Sequence, residues 1–273
     1  MKAFAVIAAL IGVAMLVAPA YADLSLVKAP TLPGEATHAQ ILNHVYGTDP
    51  LTLVFTPFTP TANNAASYTN GTITATRIDD KKADGARGDN LDLLTGVRGL
   101  PVTDQVWEDG ISIATAKAKF ASFNDGFGYM LGSSAGTFTK LFDVTGSGYG
   151  AGGSAGPFNI TGPFRWGQDV RTLQTPIRTY LNSSRKDENH NNDVDHMVTY
   201  KITGLNTSQT VWLLFWEDMS KNRAGGQEGV TPDQDYNDIV VEIRATIVPA
   251  PAAVLLGAVG LGLVGWLKRR SMA

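Results

Sequence analysis

The chain has 273 residues, 22 basic against 25 acidic side chains, a net charge of −3 and no cysteine. The missing cysteine excludes disulfide staples, thiolate metal sites and a cysteine nucleophile. The acidic balance, with no basic patch in the body of the chain, argues against nucleic acid as a partner.

The first 22 residues read as a signal peptide. Lys2 supplies a positive start, Ala3 to Val17 is an uninterrupted apolar run, and Ala20-Tyr21-Ala22 gives the small-x-small pattern that signal peptidase cleaves. A mature chain then begins near Asp23. Residues 23–247 are long enough for one large β-domain.

An extended, proline-containing lead runs to Gly34. Thr37 and Gln40 have capping-box spacing, Ile41, Leu42, Val45 and Tyr46 share one helical face, and Gly47 is expected to end the helix in the left-handed conformation. His38 and His44 fall on this short helix as surface or packing residues. Strands are then predicted over Leu51–Phe58, Thr72–Arg77, Lys140–Val144, Met197–Thr203, Val211–Trp216 and Ile239–Ile247. Met197–Thr203 puts Val198, Tyr200 and Ile202 on one face. Val211–Trp216 is apolar on both faces and reads as a central strand. In the last strand Ile239, Val241, Ile243, Ala245 and Ile247 alternate with Val240, Glu242, Arg244 and Thr246, the pattern of a half-buried antiparallel strand. Ala114–Phe120 is ambiguous, since its alternation favours a strand and its Ala and Lys content a helix.

Gly146–Gly156 reads as a flexible surface loop, and Asp79–Asn90 and Ser183–Asp195 as polar loops. The sequons at Asn70, Asn159, Asn182 and Asn206 suggest exposed turns. Short strands separated by Gly, Asn and Asp clusters predict an all-β fold, a β-sandwich of jelly-roll or immunoglobulin-like type with one short N-terminal helix.

At the far end, Ala252–Leu267 is apolar or glycine and is followed by Lys268, Arg269 and Arg270, a membrane segment with a basic stop. It is shorter than the ~20 residues that span a bilayer comfortably, which suits a temporary anchor. Without Lys2 and these three tail residues the chain keeps 18 basic against 25 acidic groups, a net charge of −7.

The densest polar feature is the pair of strand ends around residues 217 and 238. Glu217 and Asp218 close one apolar strand, and Asp233-Gln234-Asp235-Tyr236-Asn237-Asp238 opens the next. If the two strands are neighbours, Glu217, Asp218, Asp233, Asp235, Asn237 and Asp238 gather at one sheet end, a set of hard oxygen donors that suits calcium. Asp and Asn here also serve as turn and capping residues. An EF-hand is rejected, because Asp238 stands where its glycine belongs and Arg244 where its bidentate glutamate belongs. A second polar cluster, Asp187–His196, reads as a solvated loop. His190 and His196 lack the partners of a zinc site.

The tail, with Val248-Pro249-Ala250-Pro251, the apolar stretch and the basic cluster, resembles the PEP-CTERM sorting signal, with Ala250 in place of the family's usual glutamate. That resemblance implies an exosortase-type processing enzyme and delivery to the surface or a polysaccharide-rich matrix. Asp195-His196-Met197-Val198-Thr199-Tyr200, Phe215-Trp216-Glu217-Asp218 and Asp235-Tyr236-Asn237-Asp238-Ile239-Val240-Val241 together resemble an uncharacterised secreted bacterial β-domain marked by "FED" and "DYND" steps. In this chain Trp216 interrupts the first of those steps. The resemblance implies a secreted β-sandwich of no established activity whose acidic strand ends bind calcium.

The expected function is a non-enzymatic surface or matrix protein, membrane-tethered through its C-terminal segment, binding extracellular polysaccharide or a matrix protein. Trp107 and Trp166, beside Gly and Asp, are expected to be exposed sugar platforms, and Trp212 and Trp216 to be core. The alternative is a hydrolase of extracellular polysaccharide using two of the same carboxylates. No serine-hydrolase elbow, zincin helix, P-loop or dinucleotide fingerprint occurs.

Overall fold

The computed structural model describes residues 27–30, 33–48, 55–60, 67–78, 90–91, 104, 106–107, 110–133, 136–171, 179–184, 195–218 and 234–246. The expected signal peptide with Ala20 and Ala22, and the tail with Pro249, Pro251, Lys268, Arg269 and Arg270, lie outside these residues, as does Asp233. Among the described residues no helix is long and apolar enough to cross a membrane.

Among the described residues one helix, α1 (His38–Tyr46), precedes the strands. Its capping box forms as the spacing requires: the Gln40 N–H donates to Thr37 Oγ1 at 3.3 Å and the Thr37 N–H donates to Gln40 Oε1 at 2.8 Å. Gly47 ends the helix, but right-handed, at φ −71°. Glycine is needed there for space instead, because a Cβ would run into the Asn43 carbonyl oxygen and approach the Phe55 ring to 2.8 Å.

The strands follow as β1 (Thr59–Pro60), β2 (Ser67–Thr69), β3 (Thr74–Arg77), β4 (Asn90–Leu91), β5 (Val106–Trp107), β6 (Gly110–Lys119) and β7 (Asn124–Leu131). The chain continues through β8 (Phe138–Val144), β9 (Ser154–Ile160), β10 (Phe164–Arg171), β11 (Thr179–Ser183), β12 (Met197–Thr203), β13 (Gln209–Trp216) and β14 (Ile239–Thr246). They form two sheets. The larger has the order β1-β2-β3-β12-β13-β14-β6-β9, and the smaller β4-β5-β10-β7-β8, with β11 also paired to β10. All pairs are antiparallel except β4 with β5.

The sheets pack face to face over one core. Trp212, Leu214 and Trp216 of β13 and Ile239, Val241, Ile243 and Ala245 of β14 meet Phe127, Phe164 and Trp166 of the smaller sheet. The opposite face of the larger sheet is also covered. There Val198, Tyr200, Val211, Leu213, Phe215 and Val240 pack on Ile41, Leu42 and Tyr46 of α1. This second layer explains why β13 is apolar on both sides, and it corrects the half-buried reading of β14, since Val240 and Glu242 are buried too.

Trp107 and Trp166 are not exposed platforms. Both are fully buried, their rings 5.9 Å apart edge to face, with Trp166 stacked on Phe127 at 5.1 Å. Gly167 and Asp169 beside Trp166 lie within β10 and do not mark a loop.

The ambiguous segment at Ala114 is strand, because β6 pairs with β14 on one side and β9 on the other, and such pairing overrides the helix preference of Ala and Lys. Its register shifts at a bulge opposite Val240 and Val241. Ala114 and Ala116 join the core between the sheets, whereas Ala118 joins the layer under α1. The bulge therefore turns Lys119 back toward the inter-sheet side. Gly146–Gly156 is also not a free loop. Gly148 exchanges backbone hydrogen bonds with Lys119, the Gly153 carbonyl accepts one from the Ala116 N–H, and β9 begins at Ser154. Asn182, read as an exposed turn, is buried in β11.

Candidate metal centre

The antiparallel register of β13 and β14 pairs Trp216 with Ile239. The residues just beyond that pair, Glu217 and Asp218 leaving β13 and Asp238 entering β14, must then meet at the same sheet end. One carboxylate oxygen from each lies within 4.8 Å of the others. Glu217 and Asp218 are each 4 % exposed, and Asp238 is half-buried.

Backbone donors position these acids. The Asp218 N–H donates to Asp238 Oδ2 at 2.7 Å, and the Gln234 N–H donates to Glu217 Oε2 at 3.1 Å. The Glu217 carbonyl oxygen accepts from His196 Nδ1 at 2.8 Å and from Asn182 Nδ2 at 3.2 Å. His196 Nδ1 is thus spent on backbone.

The electrostatics are those of crowded acids. Burial pushes the Asp218 carboxyl well above the ordinary carboxylate range, and the nearby charges of Asp238, Asp125 and Glu217 push it further. Such a group holds a proton or takes a cation.

Asp235 and Asn237 do something else. The Asp235 carboxylate accepts from the Asn237 N–H at 3.2 Å and from Asn237 Nδ2 at 2.8 Å, and Asn237 Nδ2 also donates to the Ala36 carbonyl at 3.0 Å. His38 Nε2 donates to the Asp235 carbonyl at 2.8 Å, which leaves Nδ1 to accept from the Tyr200 hydroxyl at 2.9 Å. This neutral tautomer matches the His38 pKa, lowered to about 3 by burial and by the Arg77 charge. Gln234 and Tyr236 between these residues adopt left-handed φ of 61° and 54°. The two kinks break the period-two alternation, so Asp235 and Asn237 pin the chain to the start of α1 while Asp238 joins Glu217 and Asp218.

Sequence reasoning missed what lies behind the cluster. Lys119 Nζ, re-aimed by the bulge, donates to the Val144 carbonyl at 3.0 Å and pairs with Asp125 Oδ2 at 3.2 Å. Gln168 Nε2 donates to Asp125 Oδ1 at 3.2 Å, and Asn182 Nδ2 donates to Gln168 Oε1 at 3.1 Å as well as to Glu217. Burial raises the Asp125 pKa to about 6 against the opposing charge of Lys119. The Asn182 side-chain oxygen is buried with no hydrogen-bond partner. That side chain is tied to the cluster through its amide nitrogen, which donates to the Glu217 backbone carbonyl. Oxygen donors such as the three carboxylates fit calcium, which takes about 6–8 oxygens, better than zinc, which favours nitrogen and sulfur.

No protein-family model matches this chain, and no curated protein matches it.

Proposed function

We propose that this chain is an exported, non-enzymatic protein of the cell surface or extracellular matrix, a β-sandwich of jelly-roll or immunoglobulin-like type whose acidic corner is ordered by calcium. Signal peptidase releases its start, the apolar C-terminal segment tethers it to the envelope membrane, and an exosortase-type enzyme processes the tail. It binds matrix polysaccharide or a neighbouring matrix protein.

The observation that carries the calcium reading is the convergence of Glu217, Asp218 and Asp238 within 4.8 Å in a corner where two of the three are buried. A glycosidase instead needs two carboxylates roughly 5–9.5 Å apart across an open cleft, with a sugar between them. Glu217, Asp218 and Asp238 are packed more closely than that, with Glu217 and Asp218 buried, which supports the non-enzymatic reading.

Thermal melts of the full chain in calcium and in chelator test this. An ion that binds only the folded state stabilises it by about 2.7 kcal/mol at a hundredfold excess over Kd, which for a domain of this size is roughly 5–10 °C. Unchanged melting would sink the calcium reading. Cell fractionation tests the destination: with Pro249 and Pro251 both replaced by alanine, the chain should stay in the membrane fraction. Release as efficient as wild type would contradict processing at that motif.

A further inference from the structure

A cavity of about 960 Å³ opens at the end of the smaller sheet, on the other side of the Lys119–Asp125 pair from the acidic corner. Three cations and three anions line it: Lys119, Lys140 and Arg171 against Asp125, Asp143 and Asp169. Much of that charge is already spent within the wall. Lys119 pairs with Asp125 at 3.2 Å. Lys140 bonds Asp143 at 2.7 Å and lies flat across Gly126, where a Cβ would meet its Cδ at 2.7 Å. Glycine at that position is what lets the lysine stem form the wall.

The remaining wall is mostly hydroxyl, amide and backbone, including Ser122, Asn124, Thr145 and Ser147, with a smaller apolar part at Ala121, Phe123 and Val144. An ionic ligand held by Lys119, Asp125, Lys140 or Asp143 would have to break existing pairs. An apolar ligand would strip water from polar groups without replacing their hydrogen bonds. A neutral polyol meets neither cost, because its hydroxyls donate to carboxylate oxygens with lone pairs to spare and accept from ammonium and guanidinium protons still free to donate. The volume is near the top of the roughly 300–1,000 Å³ range of small-molecule sites, so it accommodates a short run of sugars and not one ring alone.

We infer that this cavity is a binding site for a neutral oligosaccharide segment of a matrix polysaccharide. The inference rests on the surface-protein reading above and names where its glycan sits. Asp125 belongs to both places, since it forms the cavity floor and its charge bears on Asp218.

The test is titration of the full chain with neutral trisaccharides (maltotriose, cellotriose, laminaritriose and xylotriose), beside trigalacturonate as an anionic and chitotriosan as a cationic comparator. At least one neutral trisaccharide should bind. Asn124→Ala and Asp143→Ala should each weaken it about three- to tenfold, the loss of a hydrogen bond or two. Ser147→Trp, which fills the cavity, should abolish it. All three positions are exposed, so wild-type melting is expected in each variant. The inference is overturned if no neutral trisaccharide binds, if a charged comparator binds better than every neutral one, or if binding survives all three changes. The calcium response of the same samples separates the two readings: calcium-dependent melting without sugar binding removes only the cavity site, and sugar binding without calcium-dependent melting removes only the ion.

Discussion

Glu242 and Asp218 are both acids taken out of water on the same pair of strands, and the protein treats them in opposite ways. Glu242 is ringed by donors: the Tyr46 hydroxyl at 2.6 Å, Arg244 at 2.6 and 3.1 Å, and Lys117 at 3.2 Å. Burial alone would raise its pKa, but these partners reverse the effect and hold the carboxyl below its ordinary value. Around Asp218 the charges that bear most strongly belong to other acids, and burial and repulsion act in the same direction. Glu242 carries its own cations, whereas among the described residues the charges that bear on Asp218 are those of carboxylates. The comparison makes calcium a physical argument, since a carboxylate buried among carboxylates is costly until something positive arrives.

The largest expected effect comes from breaking the completed corner. Glu242→Ala leaves Arg244, Lys117 and the Tyr46 hydroxyl without their shared acceptor, and should destabilise the chain by about 3–5 kcal/mol in urea unfolding. Tyr46→Phe removes only one donor to a charged group and should cost about 1.5–3 kcal/mol in the same assay. At the other corner the sign reverses. In chelator, Asp218→Asn relieves repulsion and should leave stability unchanged or raise it by roughly 1–2 kcal/mol. A loss as large as that of Glu242→Ala would erase the contrast.

The smallest effect is in pH. Asp218 and Asp125 have folded pKa values above the unfolded ones, so their stabilisation is complete below about pH 4 and is lost as pH rises, for Asp125 through about 6. His38 runs the other way: its folded pKa of about 3 lies below the usual 6.5, so its contribution is present above pH 6.5 and falls away under acid. Comparing wild type with Asp218→Asn cancels His38. In chelator, the variant's advantage should grow from pH 5 to pH 8, and in calcium that growth should vanish.

The most legible parts of the sequence were those where one strand carries one unbroken pattern. Residues 197–203, 211–216 and 239–247 gave β12, β13 and β14 from alternation or continuous apolarity, and their adjacency placed Glu217, Asp218 and Asp238 together. β7 and β10 escaped because Gly126, Gly128, Gly167 and Asp169 look like loop residues. They lie on a face where the side chains of Lys140 and Phe138 from β8 pack across the glycines. The inward residues Phe164, Trp166, Gln168 and Val170 do keep period two, and that signal could have placed Trp166 in the core. Nothing local reveals the bulge that redirects Lys119, nor the left-handed Gln234 and Tyr236 that separate Asp235 from Asp238. These depend on partners far away in the chain.

Calorimetric titration of the full chain with calcium, in buffers of different ionisation heat, tests the central claim most directly. One ion should bind per chain and displace protons from the acidic corner, with proton release falling as pH rises, and Asp218→Asn should abolish both the heat and the release. Binding that persists unchanged in Asp218→Asn, or no binding at all by the wild-type chain, would contradict the account.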